Sequence, residues 1–222
     1  MPVSLNLLRG GVASSNSESA SKATTFHQVS KNSRHIVSAI PASEVIRRLK
    51  FQKHPEGGYY IQTHQELAEN PSPYADNQLR PLATSILYFL SVDNAFGVFH
   101  MNKSSTLHAL HQGRAEYTLM YPDTTPPRIE KVILGPNIEL GEKLQLYVGS
   151  NVWKKSSLLT EDLEFAKDSD DTSIRERVGC LISEVVFPGF VWEDHMYLDK
   201  ESLERMWGGE EGWEEWVPYT KE

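Results

Sequence analysis

A single cysteine, Cys180, is all that the 222 residues contain, so no intrachain disulfide can form and nothing calls for an oxidising compartment. Cys180 lies in an apolar run, residues 178–187, and reads as a small buried hydrophobe. Basic residues are in deficit: 22 Lys and Arg face 30 Asp and Glu, for a net charge of −8. Phosphate binding needs clustered basic charge to release counterions, so this balance argues against nucleic acid and against an anionic membrane surface. Long apolar runs are missing too; none approaches the ~20 residues of a membrane-spanning helix. The apolar patch at residues 5–8 stops at Arg9 and two glycines, whereas a secretory h-region is longer and ends at a small-residue cleavage site. Residues 1–17 carry no acid and several serines. That leaves an organelle presequence open beside the preferred reading, a disordered tail on a cytoplasmic protein.

What is present fits one medium domain with tails. Residues 1–34 are poor in large apolar groups from residue 10 onward and are expected to stay disordered, since they bury too little to offset their ordering entropy. Pro41 and the stripe of Val45, Ile46 and Leu49 predict a short helix over about 41–50. From residue 57 the period changes. Runs rich in β-branched and aromatic residues occupy 59–63, 84–90, 96–101, 106–111, 117–121, 129–134, 144–148, 152–158 and 180–187, with Gly, Pro and Asn punctuation between them. Many short strands without helices between them read as an all-β sandwich or barrel. The seven acids within 160–176 are expected to form a solvated loop. They lack the glycine and terminal glutamate of a calcium loop. Residues 200–222 read as a short helix at 200–207 and an acidic tail whose Trp207, Trp213 and Trp216 pack back on the barrel or on a second subunit.

Three constellations carry candidate chemistry. The first is His54-Pro55-Glu56-Gly57-Gly58-Tyr59-Tyr60, where paired glycines entering a strand permit an unusual backbone or a close approach by another chain. Its plainer reading is a turn in which His54 and Glu56 hydrogen-bond each other. The second joins Phe99-His100 to residues 106–113. Strand alternation puts Thr106, His108 and Leu110 on one face, and Leu107, Ala109 and His111 on the other. With the first face inside a barrel, His108 points inward and His100, one strand earlier, can meet it. Two converging imidazoles can bind a metal or run acid–base chemistry near neutral pH; two unrelated histidines bonded to backbone are the plainer alternative. His111 reads as a surface residue. The third runs from Ser183 to His195. Glu184 inside an apolar strand is costly unless it faces a polar pocket or an edge, and the adjacent Asp194 and His195 are expected to form a structural ion pair.

Taken together, in this order and spacing, these stretches resemble the cupin branch labelled as a domain of unknown function and related in fold to nucleotide-sugar epimerases. The likeness spans roughly residues 42–198. It extends to a fungal subgroup marked by Phe99-His100, Tyr121-Pro122-Asp123, Ser183-Glu184-Val185-Val186, Pro188-Gly189-Phe190 and Glu193-Asp194-His195. The resemblance implies a cupin double-stranded β-helix (jelly-roll) barrel over 35–199 with short flanking helices, a pocket inside it, and commonly a dimer. Many cupins hold a divalent metal through several histidines and one glutamate. This chain keeps His100, but Thr106 stands where the first-motif glutamate would be, and residues 144–153 supply no second-motif histidine. A neutral hydroxyl substitutes poorly for a carboxylate ligand. Gln62 likewise stands where many members carry glutamate. No metal ligand is therefore assigned, no tightly bound metal is expected, and the cofactor is left unknown.

The expected function is binding of a small polar metabolite. One form is a metal-independent isomerase, epimerase or lyase, with His100 or His108 as general base and Glu184, Tyr60 or Tyr117 as partner. The other is a non-catalytic binding barrel; a metal-dependent dioxygenase is disfavoured by the missing ligands. Catalytic candidates are His100, His108 and Glu184, and ligand-binding candidates are His54, Glu56, Tyr60, Gln62, Thr106 and Tyr117. A nucleotide ligand finds no recognised phosphate-cradling loop. Sheet edges need cover, so a homodimer is expected, with residues 35–40 as the exchanged strand. For the tail, limited proteolysis should trim residues 1 to about 34 and leave a compact core. A stability loss above about 1 kcal/mol on deleting them would show that the tail docks.

Overall fold

A computed structural model describes residues 36–222; the expected tail, 1–34, lies outside the described residues. The helix predicted over 41–50 is α1 (Ala42–Leu49), held to the body by Ala42 and Val45, which bury against Phe51 and Phe89. Lys50, in the left-handed conformation, ends it. Strands follow: β1 (Gln52–Lys53), β2 (Tyr59–Gln65), β3 (Glu69–Pro71), β4 (Leu79–Pro81), β5 (Thr84–Ser91), β6 (His100–Asn102), β7 (Ser105–Gly113), β8 (Ala115–Tyr121), β9 (Arg128–Leu134), β10 (Gln145–Val148) and β11 (Trp153–Ser157). Two helices, α2 (Thr160–Asp168) and α3 (Thr172–Arg175), precede β12 (Gly179–Phe187), β13 (His195–Tyr197) and α4 (Lys200–Trp207).

Two antiparallel sheets face each other, one ordered β1-β2-β5-β12-β7-β10 and the other β13-β6-β11-β8-β9, with β3 and β4 paired separately. The run of short strands leads to an all-β sandwich or barrel, and the resemblance to the double-stranded form found here. On β7, Thr106 and His108 are buried and His111 is exposed, as alternation requires. One end of the interior is apolar, filled by Leu90, Leu119, Leu134, Leu146, Cys180 and Ile182. Burial in that setting pushes the Cys180 thiol up to about 12, which fits the buried-hydrophobe reading. Gly113 has φ +70, and a Cβ there would collide with the Gly179 carbonyl of the paired strand, so only glycine lets β7 and β12 close here.

Three expectations need correction. The acidic stretch 160–176 is not a loop but carries α2 and α3. Two of its acids, Glu161 and Asp162, serve Arg114, which is buried just before β8. Arg114 donates through Nε and Nη2 to Asp162 at 2.8 Å each, through Nη2 to Glu161 at 2.6 Å and through Nη1 to Glu142 at 3.1 Å. Residues 36–40 form no strand. Ser38 N–H donates to the Arg177 carbonyl at 2.7 Å, and the Arg177 guanidinium returns bonds to the carbonyls of Ser38 and Ala39. Asp194 and His195 do not pair with each other: Asp194 takes Arg80, and His195 takes Glu56. At the C-terminus α4 spans 200–207, and Trp207 and Trp216 bury against Phe99, Met120 and Trp153 on the outer face of the five-stranded sheet, with Trp213 partly buried beside them. No helix among the described residues is long and apolar enough to cross a membrane.

Arg114→Leu strips the guanidinium from two buried carboxylates. It should cost about 3–5 kcal/mol in denaturant unfolding, whereas Arg47→Ala, breaking an exposed pair with Glu44, should stay within about 0.5 kcal/mol.

Candidate functional site

The polar end of the barrel begins at the turn between β1 and β2. Gly57 and Gly58 have φ of +110 and +73, and a Cβ on Gly57 would strike the Phe96 carbonyl. With glycine there, the turn lies against the barrel wall: Val98 N–H donates to the Glu56 carbonyl at 2.7 Å and the Tyr88 hydroxyl to the Gly57 carbonyl at 3.0 Å. This drops the Glu56 side chain inside, among three imidazoles. His195 Nε2 lies 2.7 Å from Oε1, His100 Nε2 3.2 Å from Oε2, and His54 Nδ1 3.6 Å from Oε2. The expected His54–Glu56 bond exists in another form, with the Glu56 backbone N–H donating to His54 Nδ1 at 3.1 Å. Burial alone would raise the Glu56 carboxyl, but His100, His195 and His54 hold it at about 2. Burial lowers His100 to about 4 against the pull of Glu56, and lowers His54 as well. At neutral pH the carboxylate is ionised and the His100 ring neutral.

A second carboxylate cluster joins the two sheets. Glu184 on β12 stands directly opposite His108 on β7, and the inward side chains meet at 3.1 Å between Oε2 and Nε2. Lys154 comes from the other sheet, where it pairs with His100 of β6. Its ammonium crosses the interior to Glu184 Oε1 at 2.5 Å, Thr106 Oγ1 at 3.2 Å and His108 Nε2 at 3.4 Å. His108 Nδ1 faces the Leu146 carbonyl at 3.3 Å. The ring thus lies between two oxygen acceptors, the Leu146 carbonyl at Nδ1 and Glu184 at Nε2, with the Lys154 ammonium beside it. Desolvation pushes the Glu184 carboxyl up, and Lys154 with His108 more than reverses it, so the carboxyl sits well below its ordinary value.

Both carboxylates, Glu56 and Glu184, line one cavity of about 410 Å³, within the range of small-molecule pockets. Tyr60 and Gln62 of β2 form one wall, and Phe190, Val191, Trp192 and Glu193 form another. The latter segment is anchored, because Arg80 grips Asp194 through two bonds of 2.7 and 3.0 Å and Phe190 N–H donates to Thr84 Oγ1. Asn102 also lines the cavity, and its Oδ1 has no hydrogen-bond partner among the described residues.

Of the expected site residues, His54, Glu56, Tyr60, Gln62 and Glu184 line the cavity. His108 and Thr106 sit behind Glu184, and His100 behind Glu56. His100 and His108 therefore do not form a pair; each serves its own carboxylate. Tyr117 is a core residue, with its ring centroid 5.0 Å from His108. Sequence reasoning missed Lys154, Asn102 and the Arg80–Asp194 clamp, and placed His195 with the wrong partner. A lysine in a strand between two tryptophan-containing and serine-containing positions carries no periodic signal; only its burial makes it notable.

The residues do not fit a resident divalent metal at Glu184. Thr106 and His108 converge with Glu184 on the Lys154 ammonium, so a cation already fills the place. Two unit charges about 4 Å apart repel by about 4 kcal/mol at an effective dielectric of about 20, and a divalent ion doubles the penalty. Around Glu56 the imidazoles address its oxygens. Among the described residues, no group of three or more His, Cys, Asp or Glu is arranged to hold a metal ion.

Residues 43–198 match the family model described as the cupin superfamily (DUF985). An uncharacterized protein of Saccharomyces cerevisiae is 33% identical over 172 residues, covering 71% of this chain and 75% of the yeast protein. Among solved structures, a hypothetical protein from Leishmania major aligns with a TM-score of 0.67 at 22% identity, over 82% of this chain and 100% of that one. A protein from Shewanella oneidensis aligns with a TM-score of 0.61 at 19% identity, over 82% and 98%. At these identities the structures show a shared fold.

The two clusters predict acid lability. His100 titrates at about 4 in the folded protein and at its usual 6.5 when unfolded. The unfolded chain therefore takes the proton first, and stability is lost as pH falls from 6.5 to 4. Glu56, at about 2 against its usual 4.5, contributes stability above pH 4.5 that is lost as pH falls toward 2. Denaturant unfolding should thus show a decline beginning below about pH 6.5. His100→Gln should flatten its upper part by on the order of 3 kcal/mol between pH 7 and 4; the same slope in wild type and variant would reject the assignment.

Proposed function

Because the chain belongs to the cupin superfamily (DUF985), we propose that its barrel binds a small, polar, neutral or cationic metabolite rich in hydroxyl or amine donors, and that Glu184 takes a proton from it. The observation behind this reading is the lining itself. Glu56, Glu184 and the unpartnered Asn102 Oδ1 offer acceptors, while no lining residue is Arg or Lys. A phosphate or pyrophosphate would meet carboxylates there without a counter-charge, which argues against a nucleotide ligand. Phe190, Trp192 and Tyr60 provide flat apolar faces for the body of a ring.

The chemistry follows from the second cluster. Glu184 is ionised and open to the cavity, so it can accept a proton from a bound hydroxyl or carbon acid. Its low affinity for that proton favours giving it back to the ligand, while His108 Nε2, 3.1 Å away, keeps the carboxylate in place. Lys154 compensates the carboxylate before transfer and lies beside the same imidazole. A proton held in this way can return to the ligand at a different atom or face, the requirement of an isomerase or epimerase, or assist departure of a leaving group in a lyase. A non-catalytic binding barrel would use the same lining without transfer.

Calorimetry with neutral sugars, amino sugars and sugar phosphates tests the ligand class: the first two should bind, and preference for the phosphates would overturn the reading. Glu184→Gln should lower any turnover by about 10²–10⁴, and His111→Ala, on the outer face, should change nothing. A destabilised Glu184→Gln with unchanged ligand affinity would mark the cluster as structural.

The homodimer also belongs here, with its contact moved. Residues 36–40 form no strand within the chain, whereas the outer face of the six-stranded sheet carries Leu107, Val185, Phe187 and Tyr147, the last two exposed. An isologous contact through that face would cover them. Light scattering should return twice the single-chain mass, and Phe187→Asp should shift it toward monomer.

A further inference from the structure

A separate cavity of about 450 Å³ lies on the outer side of the five-stranded sheet, between β8, β9, β11, the first turn of α2 and the C-terminal segment. Lys155 lines it. It follows Lys154 on β11, so alternation turns its side chain away from the barrel interior. Four Arg and Lys side chains are buried among the described residues: Arg80, Arg114, Lys154 and Lys155. Three of them have a carboxylate against them, Arg80 with Asp194 at 2.7 Å, Arg114 with Asp162 at 2.8 Å and Lys154 with Glu184 at 2.5 Å. Lys155, 3% exposed, makes no such pair among the described residues. It has the Ser157 hydroxyl at 3.4 Å and the face of Tyr219 at 3.9 Å. A buried ammonium with so little compensation is costly, and open space lies in front of it.

We infer that this cavity is a second binding site, for a small oxyanion of carboxylate or phosphate type that supplies the missing counter-charge to Lys155. Other groups around it agree. Lys131 on β9 lines the cavity and adds positive charge. Trp216, also in the lining and 7% exposed, has a buried Nε1 donor without a partner. The helix α2 opens on the same space, and its N-cap Leu159 provides no side-chain cap. The acids nearby are otherwise engaged or outside: Glu161 bonds Arg114 at 2.6 Å, Glu116 on β8 reaches Lys131 at 3.5 Å, and Glu215 is exposed. Desolvation first, and Lys131 second to the opposing pull of Glu116, bring Lys155 down to about 8. Anion binding is therefore coupled to proton uptake: the site is charged below about pH 8 and loses affinity above it.

The test uses the full chain at constant ionic strength, titrated separately with inorganic phosphate and with benzoate and followed by calorimetry and thermal melts. At pH 7 at least one anion should bind saturably. Affinity should fall at least tenfold in Lys155→Met and severalfold in Lys131→Gln, an exposed change that leaves the fold intact, and should decline about tenfold per unit above pH 8. Without anion, Lys155→Met should melt no lower than wild type. Binding of phosphate alone assigns a phosphate-bearing ligand, and of benzoate alone a carboxylate. Saturable binding by neither, or equal affinity in wild type and both variants, would overturn the proposal.

Discussion

The interior is organised by one contact, the Lys154 ammonium on the Glu184 carboxylate across the gap between the sheets. Each charge alone would be too costly to bury. Together, and with Thr106 and His108 satisfying their remaining directions, they allow a polar floor within a barrel whose other end is packed with leucine, isoleucine and cysteine. Such a pair is not an efficient source of stability, since a well-packed apolar pair of similar volume often does as well. Its value is positional: it holds an ionised carboxylate at the edge of a cavity with His108 and Lys154 already set against it.

The rest of the polar end repeats that logic with different chemistry. Glu56 is compensated by imidazoles rather than by a permanent cation, so its surroundings respond to pH where the Lys154 cluster does not depend on histidine protonation alone. The wall segment from Phe190 to Glu193 is held by the Arg80–Asp194 clamp and the Thr84 hydroxyl. Rigid anchoring on both sides leaves the cavity preformed, which lowers the ordering cost of binding. Outside the barrel, Arg114 ties α2 to β8 and the Trp-rich C-terminal segment covers the second sheet. Lys155 stands where these two attachments meet, buried with no carboxylate in ion-pair range among the described residues.

Much of this was legible in the chain. Alternation of apolar and polar residues located β5, β7, β8, β9 and β12 and turned His108 inward, because period two is a local consequence of strand geometry. The glycine pair at 57–58 marked a constrained turn, and the stripe of Val45 and Ile46 a helix. Glu184 stood out as a carboxylate in an apolar strand. The acidic stretch misled, since acids at a helix that counter a buried arginine look like acids in a solvated loop until the arginine, 48 residues away, is placed.

What the sequence determined by itself was therefore the class of fold, the faces of its strands and the presence of a carboxylate that needed a polar partner. Tertiary structure alone decided which partners. Lys154 meets Glu184 over 30 residues of chain, His195 meets Glu56 over 139, and Arg80 meets Asp194 over 114. Spacing rules reach only as far as one helix or one strand. Charge compensation acts through space, so it is set by how the two sheets close and by which side chains their closure brings face to face.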